Sequence, residues 1–213
     1  FDVAQGSITA LIGPNGAGKT TFFNMIAGAM PVTAGSIVFE GQSIIGFAPE
    51  DLCERGIART FQIVRPLVGM SVLDNVVIGA LNRNQSLTDA RNRARSLLDR
   101  VGLGAKADVL ASALTLPDRK LLETAKALAT RPRLLMLDEV MAGLRPAEAD
   151  RIIAVLREVQ RDGVTILLIE HVMRVVMAIA ERIVVLHHGE KLAEGDPKQI
   201  ANDPRVIEVY LGS

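Results

Sequence analysis

The order of apolar and polar positions divides the chain into short buried strands and longer amphipathic helices. Ile8, Ala10, Leu11 and Ile12, then Leu134-Leu135-Met136-Leu137, Val164–Ile169 and Ile183–Leu186 are nearly unbroken apolar runs. Runs of this length without alternation suit strands covered on both faces. Helical patterns separate them. Thr21 to Ala29 offers Phe22, Phe23, Met25 and Ile26 for packing; further helices are expected over Leu121 to Ala129, from Pro146 onward with Ile152, Ile153, Leu156 and Val159 inward, and over Val172 to Ala180. Residues 1–12 alternate before running apolar, which predicts a hairpin through Ala4-Gln5-Gly6-Ser7. Ile37-Val38-Phe39 reads as a short strand, Pro49 to Arg55 as a short helix, Ile57 to Ile63 as an apolar stretch, and the tail near Tyr210 as helical. Gly189 turns the chain back into Lys191-Leu192-Ala193, an antiparallel edge.

Repeated strand–helix units predict an α/β fold whose mostly parallel sheet is covered by helices, with that antiparallel β edge. Between 71 and 130 the strands stop. Ala90, Ala94, Leu97, Leu98 and Val101 recur at helical spacing as one apolar stripe, while Arg91, Arg93, Arg95 and Arg100 lie largely off it. This block reads as a helical subdomain inserted in a single domain spanning 1–213. Its arginines read as a solvated helix face rather than a nucleic-acid surface.

One stretch changes the picture from fold to chemistry. Gly13-Pro14-Asn15-Gly16-Ala17-Gly18-Lys19-Thr20 matches G-x-x-x-x-G-K-[ST] at every fixed position, between a predicted strand and a predicted helix. Glycines let successive N–H groups turn inward on an anion, and the helix start adds positive potential. The backbone from Asn15 through Gly16, Ala17, Gly18, Lys19, Thr20 and Thr21 is thus expected to cradle the phosphates of a nucleotide. Lys19 would reach the β- and γ-phosphates, and the Thr20 hydroxyl would hold Mg²⁺. This defines the fold as a P-loop NTPase.

Composition adds limits. The 213 residues suffice for one domain, and with 49% hydrophobic but 3% aromatic residues the core must be aliphatic. Acidic and basic residues balance at 24 each, so no bulk charge draws the chain to nucleic acid. Cys53 is the only cysteine, which rules out an intrachain disulfide. No apolar run approaches the roughly 18–20 residues that span a bilayer. The start at Phe1-Asp2-Val3 has no basic n-region and reads as a chain entered partway along a strand.

Further candidates lie past buried strands. Asp138 and Glu139 follow Leu134–Leu137, at the carboxyl edge where parallel sheets bind ligands. Asp138 suits Mg²⁺, and Glu139 suits orienting or deprotonating the attacking water. His171 follows Val164–Ile169 and could donate to the γ-phosphate. Gln62 ends an apolar stretch, and its neutral amide could touch Mg²⁺ or water. His187 and His188 have no evident partner in sequence.

These pieces and their order resemble an ATP-binding-cassette (ABC) ATPase along the whole chain. By that likeness Gln62 is the Q-loop residue and His171 the switch histidine. Arg59-Thr60-Phe61-Gln62, Ala142-Gly143-Leu144, Ile169-Glu170-His171-Val172-Met173 and Pro204-Arg205-Val206-Ile207-Glu208 resemble the branched-chain amino acid uptake ATPases. The lipopolysaccharide-export ATPases share some of these words, and a soluble, non-transport ABC ATPase is a further alternative. The resemblance implies ATP and Mg²⁺, transmembrane permease subunits, a second ATPase subunit facing this one, no nucleic acid, and a peripheral place on the cytoplasmic face of the inner membrane. It also implies an adenine-stacking aromatic upstream of Phe1.

Departures from the family pattern cluster in one place. The signature, commonly L-S-G-G-Q, falls on Leu114-Thr115-Leu116-Pro117-Asp118, the segment that acts on the partner's ATP. Thr115 keeps a hydroxyl, but Pro117 replaces a glycine whose N–H would meet the γ-phosphate. Arg145 replaces the D-loop acid, and Val140 follows Glu139 where proline is usual. An intact phosphate loop beside an altered signature favours a heterodimer over a homodimer.

Overall fold

A computed structural model of the chain describes residues 1–60, 66–82 and 86–211. Its main sheet has the order β4-β5-β6-β1-β7-β8, formed by Ile57–Arg59, Leu134–Asp138, Thr165–Ile169, Ile8–Ile12, Arg182–His187 and Glu190–Gly195. Five strands run parallel, and β8 pairs antiparallel with β7 at one edge. A separate hairpin joins β2 (Val38–Phe39) to β3 (Gln42–Ser43).

The apolar runs are explained by cover on both faces. Ala10, Ile12, Leu135, Leu137, Ile166 and Leu168 belong to one buried cluster, and Leu11, Leu134, Met136, Leu167 and Ile169 to the other. Successive side chains therefore enter opposite cores, and neither set faces water. Helix α1 (Lys19–Ile26) puts Phe23 and Ile26 into the second cluster. The short α2 (Pro49–Glu54) adds Leu52.

The described residues of the 71–130 block carry helices, as their pattern requires. α3 (Val72–Leu81) packs on α4 (Leu87–Arg100) and on α5 (Leu116–Ala129). Ser71 and Ser86 cap α3 and α4 by accepting from the N–H groups of Asp74 and Asp89, each at 3.0 Å. The stripe Ala90, Ala94, Leu97, Leu98 and Val101 is buried. Three of the α4 arginines pair within the chain: Arg91 with Asp74 at 3.1 Å and Arg100 with Asp162 at 2.6 Å at the surface, and Arg93 with the Leu128 carbonyl at 3.1 Å. α6 (Pro146–Arg161), α7 (Met173–Ile179), α8 (Pro197–Ala201) and α9 (Pro204–Leu211) follow, and Ile152, Val175, Ile200 and Val206 place them in the same buried cluster as α3, α4 and α5.

Three boundaries differ from expectation. Phe1–Ala4 is not a strand: no described strand pairs with it, and Phe1 instead sets its ring on Phe22 at 5.2 Å. α1 begins at Lys19 and ends at Ile26, earlier at both ends than the apolar pattern suggests. α5 begins at Leu116, because Pro117 occupies its first turn, where a missing N–H interrupts no helical bond.

Candidate functional site

The parallel register brings the ends of three strands to one edge. Leu11 of β1 pairs with Ile169 of β6, and Ile169 with Asp138 of β5. The glycine-rich loop leaves β1 at that edge. Gly13 is a steric requirement: a Cβ there would lie 2.2 Å from the Leu186 carbonyl oxygen of β7. Gly18, at φ 96°, caps α1 without a side-chain hydrogen bond, and no acidic residue sits in the first turn. The helix start is thus open to an anion. Asn15, Gly16, Thr20 and Thr21 are exposed, and Ala17 is buried beneath them.

Lys19 is buried and folds back on its own loop, donating to the carbonyls of Gly13 at 2.7 Å and Pro14 at 2.9 Å. Burial lowers its pKa, and the charges of Glu139 and Asp138 oppose that shift.

Asp138, 2% exposed, ends β5 with its N–H on the Thr60 hydroxyl at 3.4 Å. Its Oδ2 accepts from Arg59 at 2.9 Å. Glu139 adopts a left-handed φ of 47°, a conformation that costs a non-glycine residue about 1 kcal/mol or more. Hydrogen bonds to its backbone hold it there, among them one from the Ala142 N–H to its carbonyl at 3.1 Å. The Glu139 N–H donates to the Ile169 carbonyl at 3.0 Å, and its carbonyl also accepts from the buried Lys120 at 3.0 Å. Burial lowers the Lys120 pKa against the opposing charges of Glu170, Glu139 and Asp138. The His171 ring, half exposed, places Nδ1 3.7 Å from Glu139 Oε1, within a small side-chain movement of a hydrogen bond. Gln62 lies outside the described residues.

Hard cations take carboxylate, hydroxyl and phosphate oxygens. Asp138 and Thr20 fit such an ion, and among the described residues no group of three or more His, Cys, Asp or Glu could form a protein-only metal site. A magnesium here would depend on the substrate's phosphates for its remaining ligands.

The signature segment sits apart, at the start of α5. Thr115 and Leu116 are exposed, Pro117 half-buried and Asp118 buried. The Thr115 hydroxyl is spent within the chain, donating to Asp118 Oδ2 at 2.8 Å, and Lys106 donates to the same oxygen at 2.5 Å. Burial raises the Asp118 pKa, but these two hydrogen bonds and the charges of Lys106 and Arg151 outweigh it and hold the carboxyl below its usual range. Arg145 turns back on Glu148 at the start of α6 with its backbone and side-chain N–H groups.

Sequence reading missed Arg59 as a partner of Asp138, Lys120 as a support of Glu139, and Glu170 as a support of the turn at Met141. Arg59 carried a signal of its own, as the lone charged residue in the apolar stretch Ile57 to Ile63.

The site and its edge define a phosphate-loop protein. The ABC transporter family profile matches residues 1–142, and the profile of branched-chain amino acid ATP-binding cassette transporters matches residues 190–213. The high-affinity branched-chain amino acid transport ATP-binding protein LivG of Escherichia coli K12 is 41% identical over 96% of this chain and 87% of its own length. BraF of Pseudomonas aeruginosa, of the same description, is 38% identical over 99% and 89%. A nucleotide-free ATP-binding cassette from an ABC transporter superposes with a TM-score of 0.91 at 33% identity, covering 100% of this chain and 91% of that one. An ADP-bound cassette gives 0.90 at 33%, with coverage of 100% and 91%. The chain belongs to the ABC transporter ATP-binding proteins, which hydrolyse ATP to power transport, and its homologues include branched-chain amino acid transport ATPases. No described helix is long and apolar enough to cross a membrane.

Proposed function

We propose that this chain is the ATPase subunit of an importer of branched-chain or related amino acids, paired with a different ATPase subunit and docked on permease subunits at the cytoplasmic face of the membrane. Asn15 to Thr21 cradle the phosphates, with Lys19 leaving its loop carbonyls for the β- and γ-phosphates. Thr20, Asp138 and Gln62 hold Mg²⁺, which supplies charge neutralisation on the phosphates when bound. Glu139 orients and deprotonates the attacking water, and a neutral His171 steadies the γ-phosphate. The helices between 71 and 130 form the subdomain that presents α5 to the partner's nucleotide.

One observation supports the heterodimer above all: the start of α5 is closed to an incoming phosphate. Pro117 has no N–H to offer, the Thr115 hydroxyl is engaged, and the Asp118 carboxylate puts negative charge in the first turn. Two copies of this chain would give two poor composite sites. A partner with a glycine-containing signature would complete the site built on Lys19, Asp138, Glu139 and His171.

The test is ATP turnover by the full chain, alone and assembled with its membrane and second ATPase subunits, with Glu139→Gln as control. Turnover only in the assembly, abolished by Glu139→Gln, is expected. Equal turnover by the chain alone overturns the heterodimer. Unchanged turnover with Glu139→Gln removes that residue's role.

A further inference from the structure

Arg59 links three parts of the phosphate site. It ends β4, its Nη2 donates to Asp138 Oδ2 at 2.9 Å, and its Nη1 donates to Asn24 Oδ1 of α1 at 2.6 Å. Its guanidinium also lies 5.7 Å from the Phe23 ring centre. The Arg59 and Asp138 side chains are only 11% and 3% exposed. An ionised carboxylate so buried needs a counter-charge, and a guanidinium supplies one that no ordinary pH removes.

We propose that Arg59 is an internal stand-in for the divalent cation: it neutralises Asp138 while the site is empty and yields the carboxylate when Mg²⁺ arrives with ATP. The inference rests on the reading of the Gly13–Thr20 loop and Asp138 as the magnesium–ATP site. Two cations crowded on one buried carboxylate repel each other, so loading the site displaces the guanidinium. Asn24 gives Arg59 a second acceptor to keep when it lets go of Asp138. Lys19 behaves in parallel. Its ammonium rests on the Gly13 and Pro14 carbonyls, so both phosphate-site cations are held on internal oxygens.

The stand-in makes a prediction that a structural clasp does not. Without Mg²⁺, Arg59 shields the γ-phosphate from Asp138. Replacing it with methionine exposes the bound ATP to that charge, whereas Mg²⁺ itself shields it when present. The dissociation constant of ATP is measured on the full chain by titration calorimetry, once with excess EDTA and once with excess Mg²⁺. For Arg59→Met the ratio of the EDTA value to the Mg²⁺ value is expected to rise about tenfold or more over the wild-type ratio, through weaker binding in EDTA. Arg59→Lys keeps a cation on Asp138 and is expected to stay within about threefold of the wild-type ratio. Adding Asp138→Asn to Arg59→Met removes the stray charge and brings ATP binding in EDTA back towards the wild-type value.

Both constants moving together in Arg59→Met would make Arg59 a structural tie only, and a falling ratio would mean that it helps seat the metal; either overturns the proposal. Should the methionine variant fail to fold, the lysine variant decides, and a tenfold change in its ratio overturns the stand-in. No ATP binding by the wild-type chain in either condition would instead overturn the reading of the site itself.

Discussion

Glu170 follows β6 fully buried, and its carboxyl performs a task that two substitutions separate. Oε1 accepts the Met141 N–H at 3.0 Å, fixing the turn that follows Glu139, while Oε2 has no hydrogen-bond partner among the described residues. Glu170→Leu leaves the Met141 N–H orphaned, which costs about 1–3 kcal/mol. A domain of this size loses about 2–4 °C per kcal/mol, so the melting temperature should fall by about 2–12 °C. Glu170→Gln retains an oxygen for Met141 and removes only the ability to ionise. Burial raises the Glu170 pKa, the Met141 hydrogen bond and the charges of His171 and Lys120 oppose it, and the Glu139 charge adds to it. The folded chain therefore binds this proton more tightly than the unfolded chain does. The resulting stability is fully present below the unfolded value of 4.5 and lost as pH rises through the raised folded pKa. Glutamine has no such loss. The melting temperature of Glu170→Gln relative to wild type should climb with pH across that window and then level off. Thermal melts of the nucleotide-free chain from pH 4.5 to 8 measure both effects. A glutamine–wild-type difference that shrinks as pH rises, or a leucine variant that melts with wild type, would refute the reasoning.

Three further outcomes follow from single contacts. Gly13→Ala sets a Cβ 2.2 Å from the Leu186 carbonyl, against backbone that cannot swing aside; it should cost about 3 kcal/mol or more, visible as a melting temperature lower by about 6 °C or more, and abolish ATP binding. Asp118→Asn loses the charged partner of Lys106, a half-exposed pair worth about 1 kcal/mol after screening. Because the Asp118 pKa is depressed, that stability exists above 3.8 and disappears as pH falls through the folded value, so wild type and variant should converge in acid melts. Ser86→Ala removes the cap of α4 and should lower stability by about 0.5–2 kcal/mol in urea titrations, without changing ATP turnover.

The fold was legible wherever burial wrote itself into runs or stripes. The strands at Leu134, Thr165 and Arg182 and the face of α4 follow from apolar spacing alone, because each element buries its pattern within its own length. The start of α5 was not legible, since Pro117 reads as a breaker unless its first-turn position is known. Nor was Phe1–Ala4: an alternating stretch becomes a strand only if a neighbour pairs with it. Gly13–Thr20, Asp138, Glu139 and His171 could be proposed because each sits beside a predicted strand end. Lys120 gave no such signal. It lies in a helix pattern as one more charged residue, and only the approach of α5 to β5 reveals that its ammonium is buried against the Glu139 carbonyl. Glu170 was hidden for the same reason, as its partner Met141 is 29 residues away.

The proposed function asks two helix starts to face a phosphate, and α1 and α5 are built in opposite ways. At α1 the cap is a glycine, the first turn carries no acid, and the lysine there rests on loop carbonyls that it can leave. Unpaired N–H groups and positive potential remain for a ligand. At α5 the cap is Thr115, one first-turn N–H is deleted by Pro117, and Asp118 supplies from within the chain the negative charge that an incoming phosphate would bring. Lys106, which could have drawn that phosphate, is paired with Asp118 instead. Restoring a glycine at 117 alone should therefore recover little: the returned N–H would still face a carboxylate. Only Pro117→Gly combined with Asp118→Gln returns the N–H and clears the charge. A large gain in turnover at the partner's site from the single glycine would show that proline, and not the carboxylate, closes it.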